Sequence, residues 1–347
     1  MRTTWSKALF AISLSMILAT TPDAHAWGNS GHESVAFVAW QQLTPATRTR
    51  VLQLLQQVPT LHNPTNSAKT IPGYAEWVND LPAGLTDDQK NLYLFMRAAT
   101  WADSIKHRWL VDSDTPPPNT TTDVNIGYTD NASHGYWHFV DLGFASDNST
   151  VPATPAPNAA TQIAALRQYI SSTEDDALKS YDMVWLLDIV GDIHQPLHGV
   201  VRYYAGQGDL GGNLVKIKLT AAMQKQFTGT LSQYVPNELH AFWDDLPGEG
   251  DPAPALPQAV AFATALPSPS TRLVADTDPA HWAAESFALA KKDAYRAPIG
   301  SGPQPSGSNP GAYLISKAYY NRGMRDAKKR IALAGARLAK LLNENLK

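Results

Sequence analysis

The sequence predicts a mainly α-helical fold in a single domain. Apolar residues recur at helical spacing in segments spread from about residue 31 to residue 343. Only 213–219 alternates as a short strand, and no internal repeat or linker divides the 347 residues. With 44% hydrophobic and 17% charged residues, the composition is that of a globular chain with a full core. A net charge of -3 gives no general electrostatic claim on nucleic acid or membranes, so any chemistry on a polyanion must come from a local site. Cysteine is absent, which excludes thiolate metal sites and cysteine nucleophiles and leaves imidazole and carboxylate as ligands.

Residues 1–26 read as a signal peptide. Arg2 and Lys7 form a positive start, 8–19 an apolar run too short to span a bilayer, and Ala24-His25-Ala26 an A-x-A cleavage site. Cleavage before Trp27 would make the protein periplasmic or secreted, with 27–347 as the catalytic domain. No later stretch is long and apolar enough to cross a membrane. An exported chain without disulfides has to rely on its core, and on metal ions, for cross-linking.

Ser30 or Asn29 can cap a helix over 31–43, which carries Val35, Ala36, Val38 and Ala39 on its apolar positions and His32 in its first turn. His32 lies close to the new amino terminus. A free α-amino group titrates near 7.7–8.0, so a metal readily displaces its proton, and the nitrogen and carbonyl oxygen of Trp27 can together chelate it. Residues 45–58 form a second helix, followed by a Pro/Asn/Thr loop to about 70, and 74–79 and 91–104 are further helical segments. Small residues beside Trp101 predict close packing with Asp103 pointing inward; Lys106, three residues on, shares its face, and the two could equally be a surface ion pair.

Residues 112–133 make a long Asp/Thr/Pro/Asn loop, 134–141 is aromatic and locally extended, 145–158 is Pro/Ser/Ala-rich, and 161–181 is a helix with an acidic tail. Residues 185–198 then form the centre of the chain. Asp188 and Asp192 sit four apart and so project from one helix face, while Leu186, Leu187, Ile189 and Val190 fill most of the remaining circumference. Two carboxylates on a buried helix are costly without counter-charge. Basic residues are absent from this segment and His194 and His198 follow at once, so a metal cation is a better partner than a salt bridge. Further on come a Gly-rich loop over 206–212, the strand 213–219, which may pair in a hairpin, and a helix that places His240 and Asp244 four apart. Residues 247–270 are expected to run extended over the surface, and helices over 279–295 and 311–343 close the chain.

The candidate ligands are Trp27, His32, Asp103, His138, Asp188, Asp192, His198, His240 and Asp244, drawn from segments that are apolar around each of them. They are too many for one zinc in tetrahedral coordination and suit two or three ions sharing a carboxylate. The motifs W-G-x-x-G-H from Trp27, W-A-D-x-x-K from Trp101, H-F-V-D from His138, G-D-I-H-Q-P-L-H from Gly191, G-G-N from Gly211 and N-E-L-H-x-x-W-D from Asn237 resemble, in this order, the S1/P1 nuclease family. The resemblance implies a phospholipase C/P1 nuclease-like helical domain with a short β-hairpin. It implies an enzyme with three Zn2+ per chain that hydrolyses single-stranded DNA and RNA to 5′-phosphorylated products and acts as a 3′-nucleotidase. No protein partner is implied.

Carried over position by position, the resemblance assigns one zinc to Trp27, His32 and bridging Asp192, and a second to His198, His240 and Asp244. The remaining zinc falls to Asp103, His138, Asp192 and Asp188. In the family the last of these is usually His. Carboxylate can replace imidazole on zinc at similar distance, but it adds negative charge and favours harder ions. His134 and His194 are left as supporting or surface residues. The resemblance gives Asp103 a role beside the attacking water and Lys106 a role on the phosphoryl oxygens. It assigns base binding to Phe139 by stacking, Asp141 by hydrogen bonding and Tyr204 on the other ring face, although Phe139 could equally be a core aromatic. Two alternatives are a zinc phospholipase C acting on phosphatidylcholine and a non-catalytic exported zinc-binding protein. The phospholipase family generally has H-x-x-x-E where this chain has His240 to Asp244.

Overall fold

The computed structural model describes residues 27–346 except 64, 67–68, 107–112, 116–126, 131, 146, 229–234, 249–251 and 301–310. The proposed signal segment and much of the 112–133 loop lie outside the described residues. The fold is mainly α, as the sequence predicts. Helix α1 (Asn29–Gln42) has Gly28 at its N-cap, so Asn29 and Ser30 lie inside the helix and do not cap it. Thr44 caps α2 (Pro45–Leu55) by accepting from the Thr47 N–H, and Pro45 contributes its fixed φ at the first position. A short antiparallel pair, β1 (Leu61–His62) and β2 (Thr70–Ile71), leads to α3 (Tyr74–Asn79).

Two helices, α4 (Asp87–Ala98) and α5 (Trp101–Ile105), occupy the region predicted as one over 91–104. Thr100 breaks them by turning its hydroxyl back onto the Arg97 carbonyl at 3.0 Å, a local bond that competes with the helix ladder. Residues 134–141 also differ from expectation: His134 enters with φ 47°, and Gly135–Trp137 form a 3-10 turn that tucks Tyr136 and Trp137 into the core. After β3 (Gly143–Ala145), the predicted helix over 161–181 is again two, α6 (Ala159–Ile170) and α7 (Asp176–Asp192). The acidic tail is the start of the second helix, where Asp175 accepts from the Leu178 N–H and Asp176 faces the positive helix end.

The expected hairpin forms one step earlier in the chain. Strands β4 (Val201–Tyr204) and β5 (Gln207–Gly208) pair across Ala205 and Gly206, both at positive φ, as a tight two-residue turn requires. Strand β6 (Ile217–Lys218), within the predicted 213–219, pairs in parallel with a distant partner and not in a hairpin. Helices α8 (Ala221–Thr228) and α9 (Leu239–Asp244) follow. Residues 252–264, expected to be extended, form α10 (Pro252–Thr264). Its alanine content favours helix, and Ala259 buries against α1, where its carbonyl meets Ser34 Oγ at 3.3 Å. Then come α11 (Thr271–Ala275), α12 (Pro279–Leu289) with a π-helical continuation through Ala290–Ala294, β7 (Tyr313–Leu314), the partner of β6, and α13 (Lys317–Asn345). No helix among the described residues is long and apolar enough to cross a membrane.

Helix α7 is the axis of the fold. Every residue from Ser180 to Asp192 is buried, and α1, α2, α5, α6 and α13 pack around it. Gly335 lets α13 approach α1 closely: a Cβ there would lie 2.5 Å from Val38 Cβ. The C-terminal end of α7 is held from behind by two buried arginines of α13. Arg337 makes a bidentate pair with Glu285 at 2.8 Å for both bonds, and donates to His194 Nε2 at 2.9 Å. Arg330 donates to the His194 carbonyl at 3.0 Å and to Ser286 Oγ, whose own hydroxyl donates to the Ile193 carbonyl at 2.6 Å. These contacts satisfy carbonyls that the end of a helix otherwise leaves without partners.

Removing Arg337 takes away the bidentate partner of Glu285, leaves it only the Arg330 pair at 2.8 Å, and frees the buried His194 Nε2, a loss on the order of 3 kcal/mol. We expect Arg337→Met to lower the urea midpoint accordingly, and a double variant with Glu285→Leu to recover part of the loss.

Candidate metal centre

Five stretches converge on the C-terminal end of α7. The helix itself supplies Asp188 and Asp192, α1 supplies His32, α5 supplies Asp103, and the chain leaving the Gly135–Trp137 turn supplies His138. His198 lies in the 3-10 turn Pro196–Gly199, and α9 supplies His240 and Asp244 one turn apart. All eight are buried. His138 Nδ1 lies 2.7 Å from Asp192 and 3.2 Å from Asp188; His32 Nε2 lies 3.2 Å from Asp192 and 3.4 Å from Asp103. Three groups have ligand atoms close enough to share an ion: His198, His240 and Asp244; His32, Asp103 and Asp188; and His138, Asp188 and Asp192.

Several of the donor atoms are aimed into the cluster and make no hydrogen bond. His198 Nδ1 faces the His138 carbonyl at 2.7 Å and His240 Nδ1 the Gly211 carbonyl at 2.8 Å, so each of these nitrogens must carry the proton. That leaves the two Nε2 lone pairs facing each other at 3.1 Å, an arrangement that repels unless a cation takes both. Both ring nitrogens of His32, Nε2 of His138 and Oδ1 of Asp188 and of Asp192 are buried without a hydrogen bond. Orphaned polar atoms of this kind are costly in a core and fit a metal site.

The electrostatics agree. Burial pushes the His138 and His198 imidazoles well below their ordinary range and His240 down to about 4, so these side chains are neutral donors at neutral pH. Burial, and then the neighbouring Asp103 carboxylate, pushes Asp188 and Asp192 well above the usual carboxyl range. Charging these acids together therefore calls for a cation. Lys106 supplies one: its Nζ donates to Asp103 Oδ1 at 2.9 Å. Burial opposes its charge, but Asp103, Asp192 and Asp188 outweigh that and hold the ammonium protonated. The pair is buried, so it is not the surface ion pair that spacing alone also allowed.

Trp27 is fully buried beside this cluster. Its indole donates to the Gly191 carbonyl at 3.1 Å, and the Gly28 N–H donates to the Asp244 carbonyl at 3.0 Å. Gly191 makes room for the neighbouring ligand: a Cβ there would approach His32 Nδ1 to 3.0 Å. Gln195 is a supporting residue that sequence reasoning missed. Its amide donates to Asp244 Oδ1 at 2.6 Å while its carbonyl oxygen accepts from the Leu197 N–H, fixing the amide and through it the carboxylate. The signal available was its position inside the G-D-I-H-Q-P-L-H run.

His134 and His194 are buried and belong to none of the three ligand groups, so neither is a surface residue. His194 Nδ1 faces the Val190 carbonyl and its other nitrogen faces Arg337. His134 is held by Asp130 and Tyr136 and stacks on Trp137 at 3.9 Å.

Phe139 and Asp141 line one cavity together with Tyr136, Asn158, Asp114 and Thr115. Phe139 is partly buried and packs on the core, as the core-aromatic reading expects, and it also lines this cavity. Burial, with Asp209 and Asp114 nearby, raises the Asp141 carboxyl to about 6. Tyr204 is not part of this cavity and stands 36% exposed at the hairpin end. Its neighbour Tyr203 is the residue whose hydroxyl is raised, by burial and by the Asp141 carboxylate.

A family model described as S1/P1 Nuclease matches residues 27–347, nearly the whole chain. Comparison with curated proteins finds no match. The ordered motifs, the helical fold and the match along 27–347 agree, and the chain belongs to the S1/P1 nuclease family, whose members are zinc-dependent hydrolases of nucleic acid.

Proposed function

We propose that this protein is an exported nuclease with three zinc ions that hydrolyses single-stranded DNA and RNA to 5′-phosphorylated products and removes the 3′-phosphate from nucleotides. The observation that carries this reading is the convergence of buried imidazoles and buried carboxylates in three groups close enough to share an ion, with both ring nitrogens of His32 and Oδ1 of Asp188 and of Asp192 making no hydrogen bond. In this reading Trp27, His32 and Asp192 hold one ion, His198, His240 and Asp244 a second, and Asp103, His138, Asp188 and Asp192 the third. Zinc bound there would lower the pKa of water towards neutrality and polarise a phosphoryl oxygen.

The chain's own groups supply the rest. Asp103 acts as hydrogen-bond acceptor for the attacking water and orients it towards phosphorus. Lys106, held protonated 2.9 Å from Asp103, neutralises charge growing on the phosphoryl oxygens and the departing 3′-oxygen. Phe139 stacks on a nucleobase and Asp141 hydrogen-bonds its edge, with a tyrosine of the hairpin, Tyr204 as assigned by resemblance, closing the other face. Stacking accepts any base but only an unpaired one, which accounts for single-strand preference. The family match begins at 27, which supports treating 1–26 as a removable export signal.

The decisive experiment is a substrate panel of single- and double-stranded DNA, RNA, a 3′-nucleotide and phosphatidylcholine, run with and without a chelator. We expect chelator-sensitive loss of single-stranded substrates and of the 3′-phosphate. Release of diacylglycerol without nucleic-acid cleavage would make the protein a phospholipase instead, and inactivity on every substrate by the metal-loaded protein would favour a non-catalytic role.

The chelating amine of Trp27 exists only after cleavage at that residue. Protein carrying one extra residue before Trp27 should lose most of its activity, by about tenfold or more if one ion is lost; unchanged kcat would remove Trp27 from the ligand set.

Asp141 ties specificity to pH. Its carboxyl is raised from 3.8 to about 6, so it imposes no cost below 3.8, lowers stability as pH rises from 3.8 to about 6, and imposes its full cost above that. We expect Asp141→Asn to raise stability at pH 8 by on the order of 2 kcal/mol and to raise KM for a 3′-nucleotide with little change in kcat. An unchanged KM would exclude Asp141 from base binding.

A further inference from the structure

We infer that the position formed by Asp103, His138, Asp188 and Asp192 is selective for a divalent ion harder than zinc, of the manganese class, so that the resident cluster is of mixed metal. The inference rests on reading this centre as metal-loaded, and it replaces the third of the proposed zinc ions with a harder one. The donor sets differ sharply. His198, His240 and Asp244 offer two imidazoles and one carboxylate, a nitrogen-rich set that suits four-coordinate zinc. The position around Asp188 offers three carboxylates and one imidazole, a set that suits harder ions of higher coordination number.

Asp188 adds more than a change of element. It belongs both to the group with His32 and Asp103 and to the group with His138 and Asp192. An imidazole presents a single donor nitrogen to a metal, whereas a carboxylate has two oxygens and can chelate one ion or bridge two. One oxygen of Asp188 accepts from the Asp103 backbone N–H at 3.3 Å, which restrains that oxygen. The other makes no hydrogen bond and lies 3.2 Å from His138 Nδ1. Asp188 cannot turn away to solvent, because the whole of this part of α7 is buried. Asp192, one turn on, also keeps one oxygen unbonded: its Oδ2 is hydrogen-bonded to His138 Nδ1 at 2.7 Å and its Oδ1 makes no hydrogen bond. Two adjacent carboxylates, each able to give one or two oxygens, can complete a larger coordination shell than zinc takes.

The test is metal competition, read without any activity assay. Metal-free wild-type and Asp188→His proteins are equilibrated with equal concentrations of zinc and manganese, freed of unbound ions, and their metals counted by mass spectrometry. Electron paramagnetic resonance then reports the environment of bound Mn2+. Zinc outranks manganese at most sites, so retention of manganese under equal competition is demanding. We expect wild-type protein to hold about one manganese and about two zinc per chain, and Asp188→His to hold about tenfold less manganese with zinc in its place. Zinc alone in wild-type protein, or the same manganese content in both proteins, would overturn the inference. The wild-type measurement decides by itself if the variant does not fold. Failure of wild-type protein to bind either metal would instead overturn the metal reading of the whole centre.

Discussion

Charge buried away from water governs this structure. Asp103, Asp188, Asp192 and Asp244 lie within one apolar interior with Lys106 as neighbouring ammonium, and burial holds the imidazoles of His138, His198 and His240 neutral. Moving a carboxylate out of water costs several kcal/mol even after relaxation, and one ammonium does not offset several of them. The protein must therefore keep the acids protonated or bring in cations of higher charge. A site of this kind is a liability to folding before it is an asset to chemistry, which explains the apolar mass invested around it.

That investment is visible in α7. A helix with no polar face needs neighbours on all sides, and it has them in α1, α2, α5, α6 and α13. Its end cannot fray, because the carbonyls of Ile193 and His194 are held by Ser286 and Arg330, and His194 itself is clamped between Val190 and Arg337. The ligands on the front of this helix are thus positioned by an ion network behind it. Supporting bonds to the ligands follow the same logic: carbonyls of His138 and Gly211 set the imidazole tautomers, and Gln195 orients Asp244. Each removes a rotational freedom that would otherwise have to be lost when metal or substrate arrives.

Much of the centre was legible in the sequence because its chemistry is written in residue type and spacing. Asp188 and Asp192 four apart on an apolar run, and His240 and Asp244 four apart on another, fix one face of a helix each. The convergence of those faces was supplied by resemblance, since spacing within a segment says nothing about its partner. The misreadings share that cause. The strand within 213–219 pairs with β7 nearly a hundred residues away, a choice no local pattern encodes. The helix over 252–264 was hidden by its prolines: Pro252 stands at the start, where proline is tolerated, but Pro257 lies inside the helix, where packing against α1 offsets its cost. The split between α6 and α7 depended on seeing Asp175 as a cap and not as a tail.

Trp27 and Gly28 have a consequence for the order of assembly. The first residues of the described chain are bonded to the carbonyls of Gly191 and Asp244, and α1 packs along α13. A chain made and threaded from its amino end therefore presents these residues long before their partners exist. The amino-terminal side of the cluster has to wait, exposed and open, until residues more than two hundred positions later have emerged and the final helix can close over α1. The centre therefore cannot be completed before Asp244 and α13 are available, and a chain arrested part-way would carry some of the ligands without the geometry that makes them a site.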